Sequence, residues 1–92
     1  MIKSFRHRGL KKLYEKGDRR GIQPDLADVV EDILARLDAA KTPQALDLPG
    51  YRLHPLKGNL KGFWSVTVRA NWRIIFSFEG EDAAEVELTD YH

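Results

Sequence analysis

The chain has 92 residues, with 15 Lys/Arg against 14 Asp/Glu for a formal net charge of +1, and no cysteine. That length sets an expectation of one domain over residues 1–92, near the lower end of what holds a core without staples, and the absence of cysteine excludes disulfides and thiolate zinc sites, as fits a reducing cytosol. No apolar run approaches the roughly 18–20 residues of a membrane span, and Met1-Ile2-Lys3-Ser4-Phe5-Arg6 lacks the apolar core of a signal peptide, so a soluble, cytoplasmic protein with no membrane role is expected.

Ile2-Lys3-Ser4-Phe5-Arg6 alternates apolar with polar residues and predicts a short first strand. A helix is expected from about Gly9 to Lys16, with Leu10, Leu13 and Tyr14 on its inner face and Gly17 as its stop. The strongest helical signal runs from Pro24 to about Ala40, where Leu26, Val29, Val30, Ile33, Leu34 and Leu37 recur at helical spacing and predict one apolar stripe. Pro24 suits the first helical position, and Asp25 and Asp28 suit the positive end of the helix dipole. Thr42-Pro43 ends that helix, Pro49-Gly50 marks a turn, and Tyr51-Arg52-Leu53-His54 is a short strand candidate.

Lys57-Gly58-Asn59-Leu60-Lys61-Gly62 is a basic loop without the Gly-x-x-x-x-Gly-Lys-Ser/Thr pattern of a Walker phosphate loop. Residues 63–68 and 72–78 alternate on either side of Arg69-Ala70-Asn71 and predict an antiparallel hairpin, with Trp72, Ile74, Phe76 and Phe78 on one face and Arg73, Ile75 and Ser77 on the other. Glu79-Gly80-Glu81-Asp82 is a turn, and residues 84–88 form a last strand with Ala84, Val86 and Leu88 inward and Glu85 and Glu87 outward. The order β-α-α-β-β-β-β predicts an α+β fold: two N-terminal helices packed on a mainly antiparallel sheet of four to five strands.

Charge is segregated along the chain. Residues 1–22 carry +6, residues 23–48 carry −4, residues 49–76 carry +5 and residues 77–92 carry −6. A fold that gathers the two basic segments presents a cationic surface suited to a phosphate backbone, while a fold that pairs them with the acidic ones neutralises itself; both outcomes stay open. The chemistry-bearing residues are Asp90-Tyr91-His92 after the last strand, and His54-Pro55-Leu56-Lys57-Gly58 in the middle. Together they supply imidazoles, a carboxylate, a phenol and an ammonium, the groups used for proton transfer and for holding anions.

A basic amino-terminal strand, two helices, His54-Pro55-Leu56-Lys57-Gly58, Val68-Arg69-Ala70-Asn71-Trp72-Arg73-Ile74 and the terminal Asp90-Tyr91-His92 occur together. In that combination the chain resembles, over essentially its whole length, the HigB toxins of bacterial toxin–antitoxin pairs, a branch of the RelE/ParE superfamily. The resemblance implies an endoribonuclease that cuts messenger RNA in the A site of the 30S ribosomal subunit. It implies neutralisation by a HigA-like helix-turn-helix antitoxin, with operator DNA bound only through that partner. It also implies that His54, Asp90, Tyr91 and His92 are the catalytic residues, and that Asn71 lies near the substrate base, where an amide suits an adenine edge.

The residues are chemically sufficient for that reaction. Cutting RNA through its own 2′-OH needs a base, an acid for the leaving 5′-oxygen, and cations for the phosphate. Imidazoles with a pKa near ~6.5 can shuttle the protons, which suggests His54 and His92, with Asp90 orienting one of them. Tyr91 can stack on a base or hydrogen-bond the phosphate, and Lys57 and Arg73 are the expected phosphate-binding cations. No cofactor and no metal is expected, because the spacing of a metal motif is absent, although His54, His92 and Asp90 are chemically able to ligate one.

Bland readings stand beside these. His54 can simply end a strand, Arg69 and Arg73 can be structural ion-pair partners of Glu85, Glu87 or other acids, Trp64 and Trp72 read as core, and His7 shows no sign of a role. Two rival functions stay open as well: a non-catalytic ParE-type inhibitor of DNA gyrase, and a simple RNA-binding module, neither of which needs the imidazole, carboxylate and phenol set.

Overall fold

The structure, a computed structural model, describes residues 1–90. The first helix, α1 (Arg8–Lys16), starts at His7, whose Nδ1 accepts the Leu10 N–H at 3.1 Å, and ends where Gly17 turns left-handed at φ 67° and donates its N–H to Leu13. His7 is therefore a helix cap, a role that sequence reading did not assign to it. The second helix, α2 (Pro24–Ala39), buries Leu26, Val30, Ile33, Leu34 and Leu37 as its periodicity predicts. Val29 departs from the expected stripe and is 37% exposed, because the buried arc is narrower than the apolar spacing suggests. Gly9 and Gly21 pack backbone to backbone: a Cβ on Gly9 would lie 2.6 Å from the Gly21 carbonyl oxygen, so glycine is what lets α1 approach the α1–α2 connection.

A short 3₁₀ turn at Pro43–Leu46 drops Leu46 into the core. The sheet follows in the order β1-β2-β3-β4, all neighbours antiparallel: β1 (His54–Pro55), β2 (Trp64–Arg69), β3 (Trp72–Glu79) and β4 (Asp82–Asp90). Val66, Val68, Ile74, Phe76, Val86 and Leu88 face the helices and share one core with them. Trp64 and Trp72 are half-buried and pack against that core, as the core reading of both expected. Among the described residues no helix is long and apolar enough to cross a membrane.

The expected strand at Ile2–Arg6 is not a full strand, and the element order is α-α-β-β-β-β. Residues 2–5 lie parallel to β4 and make two isolated bridges, Ile2 to Ala83 and Phe5 to Val86. The reason is a bulge in β4. The register slips one residue between Ile75 and Ser77, Glu85 takes φ 53°, and its N–H is satisfied by the Ser4 hydroxyl at 2.9 Å instead of by a regular ladder. The segment is nevertheless tied down, since the Ile2 N–H and the Tyr14 hydroxyl both donate to Asp38 of α2, at 3.0 and 2.6 Å.

The candidate strand at residues 51–54 also shifts, to His54–Pro55. Arg52 takes φ 52° and interrupts pairing along β2, although the Thr67 N–H still reaches the Tyr51 carbonyl at 2.7 Å.

Candidate active site

Side chains alternate across a strand, so the residues between the core positions of β2 and β3 face away from the helices. The register sets His54 opposite Ser65, Ser65 opposite Ile75 and Ile75 opposite Glu87; the next row sets Thr67 opposite Arg73 and Arg73 opposite Thr89. On this face Arg52, His54, Leu56, Ser65, Thr67 and Arg73 line a cleft of about 320 Å³. It has an imidazole and two guanidinium groups in its wall, two hydroxyls, and no carboxylate among those lining residues. Such a lining suits an anion of phosphate geometry, for which the planar fork of arginine is the matching donor.

Of the expected site residues, the structure brings His54 and Arg73 together in the cleft. Lys57 is exposed, three positions on, where the chain enters the 3₁₀ turn Gly58–Leu60. Asn71 is exposed in the connection between β2 and β3, at the end of the hairpin that carries Arg73. Asp90 ends β4 opposite Trp72, next in sequence to Thr89, which pairs with Arg73. Tyr91 and His92 lie outside the described residues. Arg52, Ser65 and Thr67 were not singled out by sequence reading. Arg52 shares the alternation of residues 51–54 with His54, and Ser65 and Thr67 hold the outward positions of β2; that two-residue period is the signal that could have found them.

The segment that carries Arg52 and His54 is braced against α2. The Tyr51 hydroxyl donates to Asp32 at 2.5 Å, and Asp32 also takes the Arg36 guanidinium at 3.2 Å. Burial, with the Asp32 hydrogen bond next, pushes the Tyr51 phenol up to about 12, while Tyr51 and then Arg36 lower the Asp32 carboxyl. Arg73 donates to the Ala70 and Trp72 carbonyls at 2.8 and 3.2 Å, which fixes it on the hairpin turn, where Ala70 takes φ 51°.

The two expected outcomes for charge are both present. Lys3 pairs with Glu79, Arg6 with Glu85, Arg19 with Asp28 and Glu31, and Arg20 with Asp18, so much of the basic amino-terminal segment is neutralised within the molecule. Arg69 pairs with Asp25 of α2 at 3.6 Å, so the structural ion-pair reading holds for it, with an acid other than Glu85 or Glu87. Among the described residues Arg52, Lys57, Lys61 and Arg73 have no acidic partner, and neither do Arg8, Lys11, Lys12 and Lys16 of α1 or Lys41 after α2.

Comparison with known proteins gives concordant findings. The model of a family described as the RelE-like toxin of type II toxin–antitoxin system HigB matches residues 3–92. The chain is similar to Endoribonuclease HigB of Proteus vulgaris, at 49% identity over 92 residues covering all of both chains. It is also similar to Toxin HigB-1 of Vibrio cholerae serotype O1, at 35% identity over 83 residues, 85% of this chain and 84% of that toxin.

Proposed function

Because the chain belongs to the HigB family of RelE-like toxins of type II toxin–antitoxin systems, we propose that it is an endoribonuclease that cuts messenger RNA in the ribosomal A site. As a type II toxin it has an antitoxin partner; in this reading the partner is a HigA-like helix-turn-helix protein through which the pair reaches operator DNA. The observation that carries the reading is the cleft in which His54 stands beside two guanidinium groups with no carboxylate in the lining.

In the proposed reaction the 2′-oxygen attacks the adjacent phosphorus and gives its proton to a base. The bond from phosphorus to the 5′-oxygen breaks, and an acid protonates that oxygen. His54 and His92 fill those two roles, Asp90 orients an imidazole, Tyr91 and Asn71 engage the substrate, and Lys57 and Arg73 hold the phosphate as its charge rises. The side chains supply acid, base and cations, so no metal is assigned a step.

Translation in vitro of a defined message, followed by mapping of the cut ends, tests this. The expected products are a 2′,3′-cyclic or 3′-phosphate and a 5′-OH, still formed in EDTA at levels that leave ribosomes intact. His54→Ala and His92→Ala are each expected to lower the rate by at least ~100-fold. An intact message, or cutting that survives both substitutions, contradicts the proposal.

A further inference from the structure

We propose that Arg52 is a further phosphate contact of this cleft, held in place from behind by Tyr51; the inference rests on the reading of the cleft as an RNA-cutting site. Arg52 lines the cleft with His54 and Arg73, and among the described residues its guanidinium has no protein partner. The other arginines of the sheet and its flanks are committed: Arg73 to the Ala70 and Trp72 carbonyls, Arg69 to Asp25, and Arg6 to Glu85 and, at 5.1 Å, to the Phe63 ring. A planar fork of donors left unpaired in a cleft without a lining carboxylate matches the non-bridging oxygens of a phosphodiester.

The backbone is a second, independent observation. Arg52 takes φ 52°, a left-handed conformation that glycine adopts freely and that side chains bearing a Cβ disfavour. It is imposed from both sides. The Tyr51 carbonyl accepts the Thr67 N–H at 2.7 Å, the Tyr51 hydroxyl donates to Asp32 at 2.5 Å, and His54 is already in register with Ser65. Strain of this kind persists where surrounding structure over-determines it and concentrates at ligand-binding positions. An arginine at a place that would suit glycine is explained if its side chain is used.

The experiment measures single-turnover cutting of a ribosome-bound message, and its salt dependence, for the full-length wild type, Arg52→Gly, Arg52→Lys, Tyr51→Phe and the double variant, with melting curves on each. Arg52→Gly is expected to cut about 100-fold more slowly, to flatten the slope of log rate against log salt by about 0.7, and to melt no lower than wild type, because glycine fits the backbone. Arg52→Lys is expected to keep the salt slope and recover only part of the rate, having the charge without the fork. Tyr51→Phe is expected to slow cutting in the wild-type background and to add little to Arg52→Gly, since it acts by placing Arg52. Cutting by Arg52→Gly within twofold of wild type, or a loss of rate with an unchanged salt slope, overturns the assignment. A wild-type protein that leaves the message intact overturns instead the reading beneath it.

Discussion

At the scale of single residues, chemistry and structure divide unevenly between the histidines. His54 is exposed on a two-residue strand, so its imidazole faces the cleft region with little part in the core. His7 does the opposite: its ring accepts the Leu10 N–H and closes the first turn of α1. Replacing a capping side chain with alanine typically costs ~1 kcal/mol. His7→Ala is therefore expected to lower stability by about that amount in urea unfolding while leaving the cutting rate within twofold, and His7→Asn is expected to restore most of the stability. Unchanged stability in His7→Ala would mean that the ring nitrogen satisfies nothing the solvent does not.

At the scale of elements, the brace between α2 and the segment before β1 makes a pH-dependent contribution whose sign can be worked out. The Tyr51 phenol is raised from its ordinary 10.0 to about 12 in the folded protein, first by burial and then by its bond to Asp32. A group with a raised folded value stabilises the fold fully below its unfolded value and loses that contribution as pH climbs through the folded one. The melting-temperature difference between wild type and Tyr51→Phe is thus expected to hold up to about pH 10 and to shrink toward pH 12. Asp32 carries the reverse sign: its carboxyl is lowered from 3.8 by Tyr51 and then Arg36, so its share is present above that value and fades in acid. A wild-type-to-variant difference that persists unchanged through pH 12 would rule the brace out as a titrating contact.

At the scale of the whole molecule, charge segregation in the chain resolves into two uses. The basic start and the acidic end meet along β4 and at the end of β3, through Lys3 with Glu79, Arg6 with Glu85 and the Met1 ammonium with Asp82. The basic middle stays largely uncompensated on the cleft side. Exposed charges contribute little to folding, whereas loss of a phosphate contact in the transition state lowers a rate by about 100-fold. Lys57→Ala is expected to reduce cutting by about that factor with melting within a few degrees of wild type. Arg73→Ala is expected to do the same with a larger stability loss, because its guanidinium also holds the Ala70 and Trp72 carbonyls. Glu81→Gln, at the turn on the far end of β3, serves as the charge control and is expected to cut at the wild-type rate. Equal impairment in all three variants would show that the cation excess has no local meaning.

What the chain determined by itself is whatever depends on near neighbours. Helical spacing in residues 26–37, the stop at Gly17, the alternation of residues 63–78 and the inward facing of Val86 and Leu88 are set by periods of 3.6 and 2 residues and are legible without a fold, whereas the bulge at Glu85 pairs Ala84 with Ser77 and puts Ala83, not the expected Ala84, in the core shared with the helices. The His54 and Arg73 candidates were legible as chemistry, though nothing local says that residues 19 apart share a cleft; strand pairing through Ser65 and Thr67 decided that. Tertiary structure alone also decided that residues 2–5 bridge instead of forming a strand, because the bulge at Glu85 breaks the ladder they would join. It likewise assigned Asp32 to Tyr51 and Arg69 to Asp25, and left Arg52 in the cleft without a partner among the described residues. Each of these depends on where two distant backbone segments come to rest, and that placement follows from packing the whole apolar set at once.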